Sequence, residues 1–145
     1  MTLENIEDNY PGIFERLKAI ITDGIVIVVF MFAVAHIFSL YENVPDNARI
    51  FAFVFIFLLY DPLFTSLFGG TIGHMIIGIR VKRESNELKN ILFPLAILRY
   101  IVKALLGWIS MLTIARNTKR KAIHDILVGS VVVYAKSGKI KTTTN

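Results

Sequence analysis

The sequence predicts an all-α membrane protein: two transmembrane helices plus a third helical segment that re-enters, lies at the interface or spans, with short cytoplasmic strands. Three observations predict it. Of the 145 residues, 54% are hydrophobic, and the mean hydropathy is +0.60. The apolar residues come in blocks rather than dispersed, and residues 24–40 contain His36 and Ser39 as their only polar side chains. Eighteen residues counted from Asp23, at about 1.5 Å each, rise about 27 Å, enough to cross a hydrocarbon core.

Composition excludes several classes. The chain has no cysteine, hence no disulfide framework, no thiolate chemistry and no cysteine metal cluster. The net charge of +5 comes from basic residues that flank apolar segments instead of forming a stripe with aromatics, so no nucleic acid is expected as partner. The acidic start MTLENIEDNYPG lacks the basic region of a cleavable signal, and the first helix is expected to stay as a signal anchor. A polar tail (1–12), one membrane domain (13–135) and a flexible basic tail (136–145) follow from these patterns.

In chain order, the first helix runs from about Ile13 to Leu40, after the breaker Pro11-Gly12. The loop YENVPDNAR (41–49) leads to a second apolar block at 50–68, in which Pro62 follows Asp61. Pro62 removes a backbone donor and is expected to kink the helix, leaving freed carbonyls beside a carboxylate. The glycine-rich GGTIGH that follows lacks the Gly-Lys-Ser/Thr ending of a phosphate loop, so its glycines serve turning and close packing. GIRVKR (78–83) and SVVVYA (130–135) each have a short strand's pattern and are expected to pair on one membrane face.

The third apolar block, 91–115, contains Pro94, Arg99, Lys103 and Gly107. Apart from Arg99 and Lys103, fourteen lysines and arginines remain. With the N-terminus inside, a single crossing by this block leaves six of them inside and eight outside. A block that returns to its own side leaves thirteen inside and only Arg49 outside. The positive-inside rule selects the second arrangement, a segment turning near Gly107-Trp108 with both termini cytoplasmic in a multi-pass inner membrane protein.

Ionised groups inside apolar blocks need partners. Arg16 and Asp23, seven apart, share one face of the first helix. Arg16 either snorkels to phosphates or pairs with Asp125 or Asp23 as a clamp between the first helix and the C-terminal segment. Asp23 either caps backbone amides, joins that clamp, or holds a proton or cation. Asp61 is a second ion or proton candidate, with Thr65 and Ser66 one turn on; otherwise Asp61-Pro62 ends the helix at the interface. Arg99 and Lys103, four apart, either bind anionic lipid headgroups on the cytoplasmic face or turn into a cleft and pair with Asp23, Asp61 or Asp125. His36 fits a packed polar residue. His74 and His124 are too scattered for a metal site, and the residues call for no cofactor. His124 and Asp125 are adjacent, so they point apart on a helix and make a poor catalytic dyad; an enzyme is not expected.

ERLKAIITDGIVI, GTIGHMIIGIRV, LRY (98–100) and IHDILVGSVVV together resemble the RDD family of small bacterial and archaeal membrane proteins, over about residues 13–134. The resemblance assigns the family arginine to Arg16 and its two aspartates to Asp23 and Asp125. His74 departs from the lysine usual after TIG, so a permanent cation is missing there. The family implies transport of a small ion or solute, with monovalent cation–proton exchange proposed for some members. The alternative is a non-catalytic scaffold or accessory subunit docking a larger membrane complex. Two or three crossings leave little room for a pathway in one copy, so a homo-oligomer is expected with the first reading.

Overall fold

The computed structural model describes residues 10–116 and 118–135. The C-terminal tail and most of the N-terminal one expected from the sequence lie outside them. Helix α1 spans Ile13–Ser39 and helix α2 spans Asp46–Phe68, both long and apolar enough to cross a membrane. A tight turn joins them, and α2 starts four residues ahead of the apolar block because Pro45 sets its entry.

The two helices are inside-out relative to a soluble bundle. Along α1 only Arg16, Ala19 and Asp23 are buried, a stripe of one small and two charged residues. Ile21, Ile25, Val28, Val29 and Phe32 stand exposed, as do Phe51, Phe55 and Leu58 on α2. A surface this apolar is stable only against hydrocarbon, so the exposed rings and branched chains are lipid-facing. Pro62 lies within α2, which continues to Phe68. The alternative in which Asp61-Pro62 ends the helix is therefore corrected: a proline removes one ladder bond, and the helix resumes on the far side.

Past Gly69 the chain builds a compact cap at the end where α1 begins. Helix α3 (Ile72–Ile77) leads into β1 (Ile79–Arg83). Near the end of the described chain, α5 (Ile123–Val128) leads into β2 (Ser130–Tyr134). The strands pair antiparallel, with Ile79 opposite Tyr134 and Arg83 opposite Ser130, as their patterns predict. Alternation turns Ile79 and Val81 inward, where they pack with Ala19, Ile91, Ala96 and Val132. Tyr10 is buried against Val131 and Val133, which ties the chain just ahead of α1 to β2.

The third apolar block forms α4 (Phe93–Leu106) and a 3-10 segment (Gly107–Arg116). Fourteen residues rise about 21 Å, short of a hydrocarbon core of about 30 Å. Helix α4 runs antiparallel to α2: Asn90 bonds the Ser66 and Leu67 carbonyls at its start, and Tyr100 donates to Phe57 O at 2.7 Å further in. At Gly107, with φ +49°, the direction changes by 104° between α4 and 109–116. Met111 and Ile114 then pack on Ala122 and Ile20, back toward the cap. The turn expected near Gly107 is present, and the segment's two ends meet at one end of the helix pair.

Candidate functional site

The buried polar residues gather where α1, α2, α3, α4 and α5 meet beneath the cap. Most of them form two groups, one built on ion pairs and one on hydrogen bonds from neutral donors to Asp23.

The first is a chain of alternating charge: Arg16, Asp125, Arg99, Asp61, Lys103. Arg16 Nη1 lies 2.5 Å from Asp125 Oδ2, and its Nη2 donates to Arg120 O at 2.7 Å. Arg99 Nε donates to Asp125 Oδ1 at 2.9 Å, and its Nη1 lies 3.8 Å from Asp61 Oδ1. Lys103 Nζ closes the chain on Asp61 Oδ2 at 2.8 Å. Asp125 is fully buried and also accepts from Ser130 Oγ and Ala122 N. Burial pushes its carboxyl up, but the Arg16 and Arg99 guanidiniums outweigh that and hold it well below the usual carboxylate range.

Two outward readings are thereby corrected. Arg16 does not snorkel to phosphates: its side chain is 4% exposed, because Asp125 is brought directly opposite by α5. Arg99 does not reach lipid headgroups, since Asp125 and Asp61 flank it and it is 2% exposed. Lys103 also points inward, onto Asp61. Asp61 is a paired carboxylate here, with Thr65 Oγ1 donating to it at 3.1 Å. Ser66 turns away and donates to Leu63 O, so it adds no oxygen to that site.

The second group surrounds Asp23. Its Oδ1 accepts from Tyr60 Oη at 2.7 Å and from Gly73 N at 2.7 Å. Its Oδ2 accepts from Thr71 Oγ1 at 2.5 Å. Among the described residues no lysine or arginine forms an ion pair with Asp23; its charged-type neighbour is His74, with Nδ1 3.7 Å away. Asp23 therefore does not cap its own helix, and it does not pair with Arg16. Sharing a face aligned the two, and different partners then claimed each.

Local folding explains the arrangement. Thr71 caps α3, its Oγ1 accepting from His74 N at 3.3 Å. Gly73 lets α3 settle directly on α1: a Cβ there would lie 2.3 Å from Ala19 O and 2.6 Å from Asp23 Cγ. Tyr60 is fixed by ring contacts with Phe30, edge-on at 6.1 Å, and Phe64 at 5.0 Å. His74 is buried, and burial first, then the Lys103 and Arg99 charges, push it down to about 3, so its imidazole is neutral at pH 7. His124 is likewise pushed down to about 3 by burial, with Asp125 opposing, and its Nδ1 is engaged by Ser110 Oγ at 2.6 Å.

Tyr60 and Thr71 are site residues that sequence reasoning missed; Gly73 it read for close packing but not as a donor, and His74 as a metal ligand and as a departure from the family's lysine. A signal existed: a polar TIGH step directly after an apolar block, with a cap residue three before the imidazole. Beside Lys103 and His124 lies a cavity of about 330 Å³, walled mainly by Leu17, Ile20, Tyr100 and Met111. It lies between α1, α4 and the turned third segment, beside the contact of Ile20 with Met111 and Ile114.

The pattern of the RDD family matches residues 10–129. The chain is also similar to the uncharacterized membrane protein YteJ of Bacillus subtilis (strain 168), with 27% identity over 139 residues, covering 88% of this chain and 82% of that protein. No solved structure matches.

Proposed function

This chain belongs to the RDD family, and on that footing we propose that it exchanges a small monovalent ion or proton across a prokaryotic inner membrane, with Asp23 as the exchange site. The observation that carries this is the contrast between the buried carboxylates. Asp61 and Asp125 are each neutralised by two cations, whereas Asp23 is held by a phenol, a hydroxyl and an amide. A carboxylate held by neutral donors keeps a charge that a proton or small cation can complete; one locked between guanidiniums does not. In this reading Arg16, Asp125, Arg99, Asp61 and Lys103 are the frame that fixes the helices around the site. No covalent chemistry is involved.

The same reading sets both termini and the cap in the cytoplasm, where the basic loops meet anionic lipids. It also places the pathway between copies of the chain, because two crossings and one helix too short to span enclose no continuous route by themselves.

The test is flux in proteoliposomes containing only this protein under proton, sodium and potassium gradients. Asp23→Asn is expected to lower flux at least tenfold, while Asp23→Glu retains part of it. Equal flux in wild type and folded Asp23→Asn overturns the proposal. One observation favours a second reading, a non-transporting accessory subunit: most of the buried charge is consumed in clamping helices together. That reading predicts no flux under any gradient and stable co-purification with a larger membrane complex.

A further inference from the structure

We propose that Thr71 and His74 form a proton relay to Asp23, in which the neutral imidazole changes tautomer each time the carboxylate gains or loses a proton. The proposal rests on Asp23 being the exchange site and adds the route by which the proton reaches it.

Proton counting at Thr71 carries the argument. Its Oγ1 lies 2.5 Å from Asp23 Oδ2, hydrogen-bonds His74 Nδ1, and accepts from His74 N at 3.3 Å. A hydroxyl has one proton to give. When Asp23 is ionised it is acceptor-only, so the Thr71 proton must point to Oδ2. Thr71 then has nothing to donate to His74, and Nδ1 must carry the hydrogen of that bond. At 3.7 Å, Nδ1 is too far from Oδ2 to bypass the hydroxyl. When Asp23 is protonated every bond reverses: Oδ2–H donates to Thr71, Thr71 donates to Nδ1, and the imidazole hydrogen sits on Nε2. Tyr60 and Gly73 keep donating to Oδ1 in both states.

The transfer balances. One proton enters at His74 Nε2, the Nδ1 proton passes to Thr71 Oγ1, and the hydroxyl proton passes to Asp23 Oδ2. Thr71 and His74 are neutral before and after, and the single gained charge neutralises the carboxylate. The charged groups acting on His74 are Arg16 and Asp23 from α1, Asp61 from α2, and Arg99 and Lys103 from α4. Cations on two of those helices discourage an imidazolium, so His74 passes the proton on and does not store it. A lysine at this position, with no acceptor nitrogen while charged, has no such pair of neutral states.

The experiment is ¹⁵N NMR of the full chain in bilayers with labelled histidine, the His74 signals assigned by their loss in His74→Gln. Asp23 protonation is followed in parallel by its carboxyl infrared band. The expected result is Nδ1–H when Asp23 is ionised, switching to Nε2–H as the protonated band grows. Asp23→Asn, whose amide can donate toward Thr71, is expected to lock His74 as Nε2–H throughout the range in which the imidazole is neutral. An imidazole with the same tautomer in both Asp23 states and in Asp23→Asn overturns the relay. Flux separates this failure from that of the exchange reading. The relay predicts that Thr71→Val slows proton-coupled flux at least tenfold while Thr71→Ser preserves it. Flux lost in Asp23→Asn but unchanged in Thr71→Val leaves the exchange site standing and removes the relay. If Thr71→Val does not fold, the wild-type and Asp23→Asn spectra decide.

Discussion

Asp125 illustrates how much of this protein hangs on single buried charges. It joins α5 to α1 through Arg16 and to α4 through Arg99. Among the described residues, Arg16 Nε and Arg99 Nη1 are buried without a hydrogen-bond partner, and without Asp125 Arg16 is left with the neutral Arg120 carbonyl and Arg99 with Asp61 at 3.8 Å. Removing one member of a buried ion pair strands the other, at a cost of about 3–5 kcal/mol. Asp125→Asn strands two cations while keeping the shape, and is expected to destabilise by at least that order. Thermal unfolding in detergent checks it; a melting temperature within a degree or two of wild type would show that the clamp is not structural. That Arg16 and Asp23 need partners was legible in the sequence, because an ionised group at or in an apolar block demands one, whereas Asp125 entered as a candidate partner of Arg16 and through the family resemblance. Arg16 with Asp125 was one of the two pairings the sequence offered, and it is the one the structure holds; the choice between them was not legible. A spacing of seven fixes a helix face, but the choice of partner depends on where α5 and α3 dock, and those contacts join residues 109 and 50 positions apart.

At the scale of elements, the docking of α3 on α1 decides whether Asp23 has its ring of donors. Gly73 is the contact point, and its amide supplies one of those donors at 2.7 Å. Gly73→Ala puts a methyl group into Ala19 O and the Asp23 carboxylate, so α3 must lift away. The expected cost is about 1–3 kcal/mol, typical of overpacking, together with loss of the Gly73–Asp23 bond. Gly24→Ala, one residue past Asp23, is the control: nothing lies within 4 Å of a Cβ there, and helix propensity favours alanine by about 1 kcal/mol. Unfolding curves showing equal effects for both would refute the close-docking argument. The long helices, the strand pair and the turn at Gly107 were all legible, since each leaves a period, a run length or a glycine in the sequence. The six-residue helices α3 and α5 were not. Six residues are under two turns, too few to show a helical period, and such helices persist because their caps and their burial against α1 and α4 hold them.

For the molecule as a whole, the open question is where the third segment goes, and three physical facts bear on it together. Helix α4 reaches only about 21 Å, the chain bends by 104° after it, and the 3-10 segment returns Met111 and Ile114 to Ile20 near the start of α1. An arrangement that instead crossed would carry Arg116, Lys119, Arg120 and Lys121 to the far side, against the positive-inside rule. It would also tear Lys119 and Lys121 from Glu84, which they reach at 3.2 and 2.7 Å from across the segment. The chain has no cysteine, so single cysteines give an unambiguous readout. Ser85→Cys and Thr118→Cys flank the segment, Glu42→Cys sits in the turn between α1 and α2, and all three positions are exposed. An impermeant thiol reagent applied to oriented vesicles is expected to label Ser85→Cys and Thr118→Cys from one side and Glu42→Cys from the other. Labelling of Thr118→Cys from the side of Glu42 would make the third segment a full crossing. It would also break the cap, because α5 and β2 cannot then reach Arg16 and β1. On this prediction the third segment's return to its own side is what brings Asp125 to Arg16 and joins α5 to the start of α1.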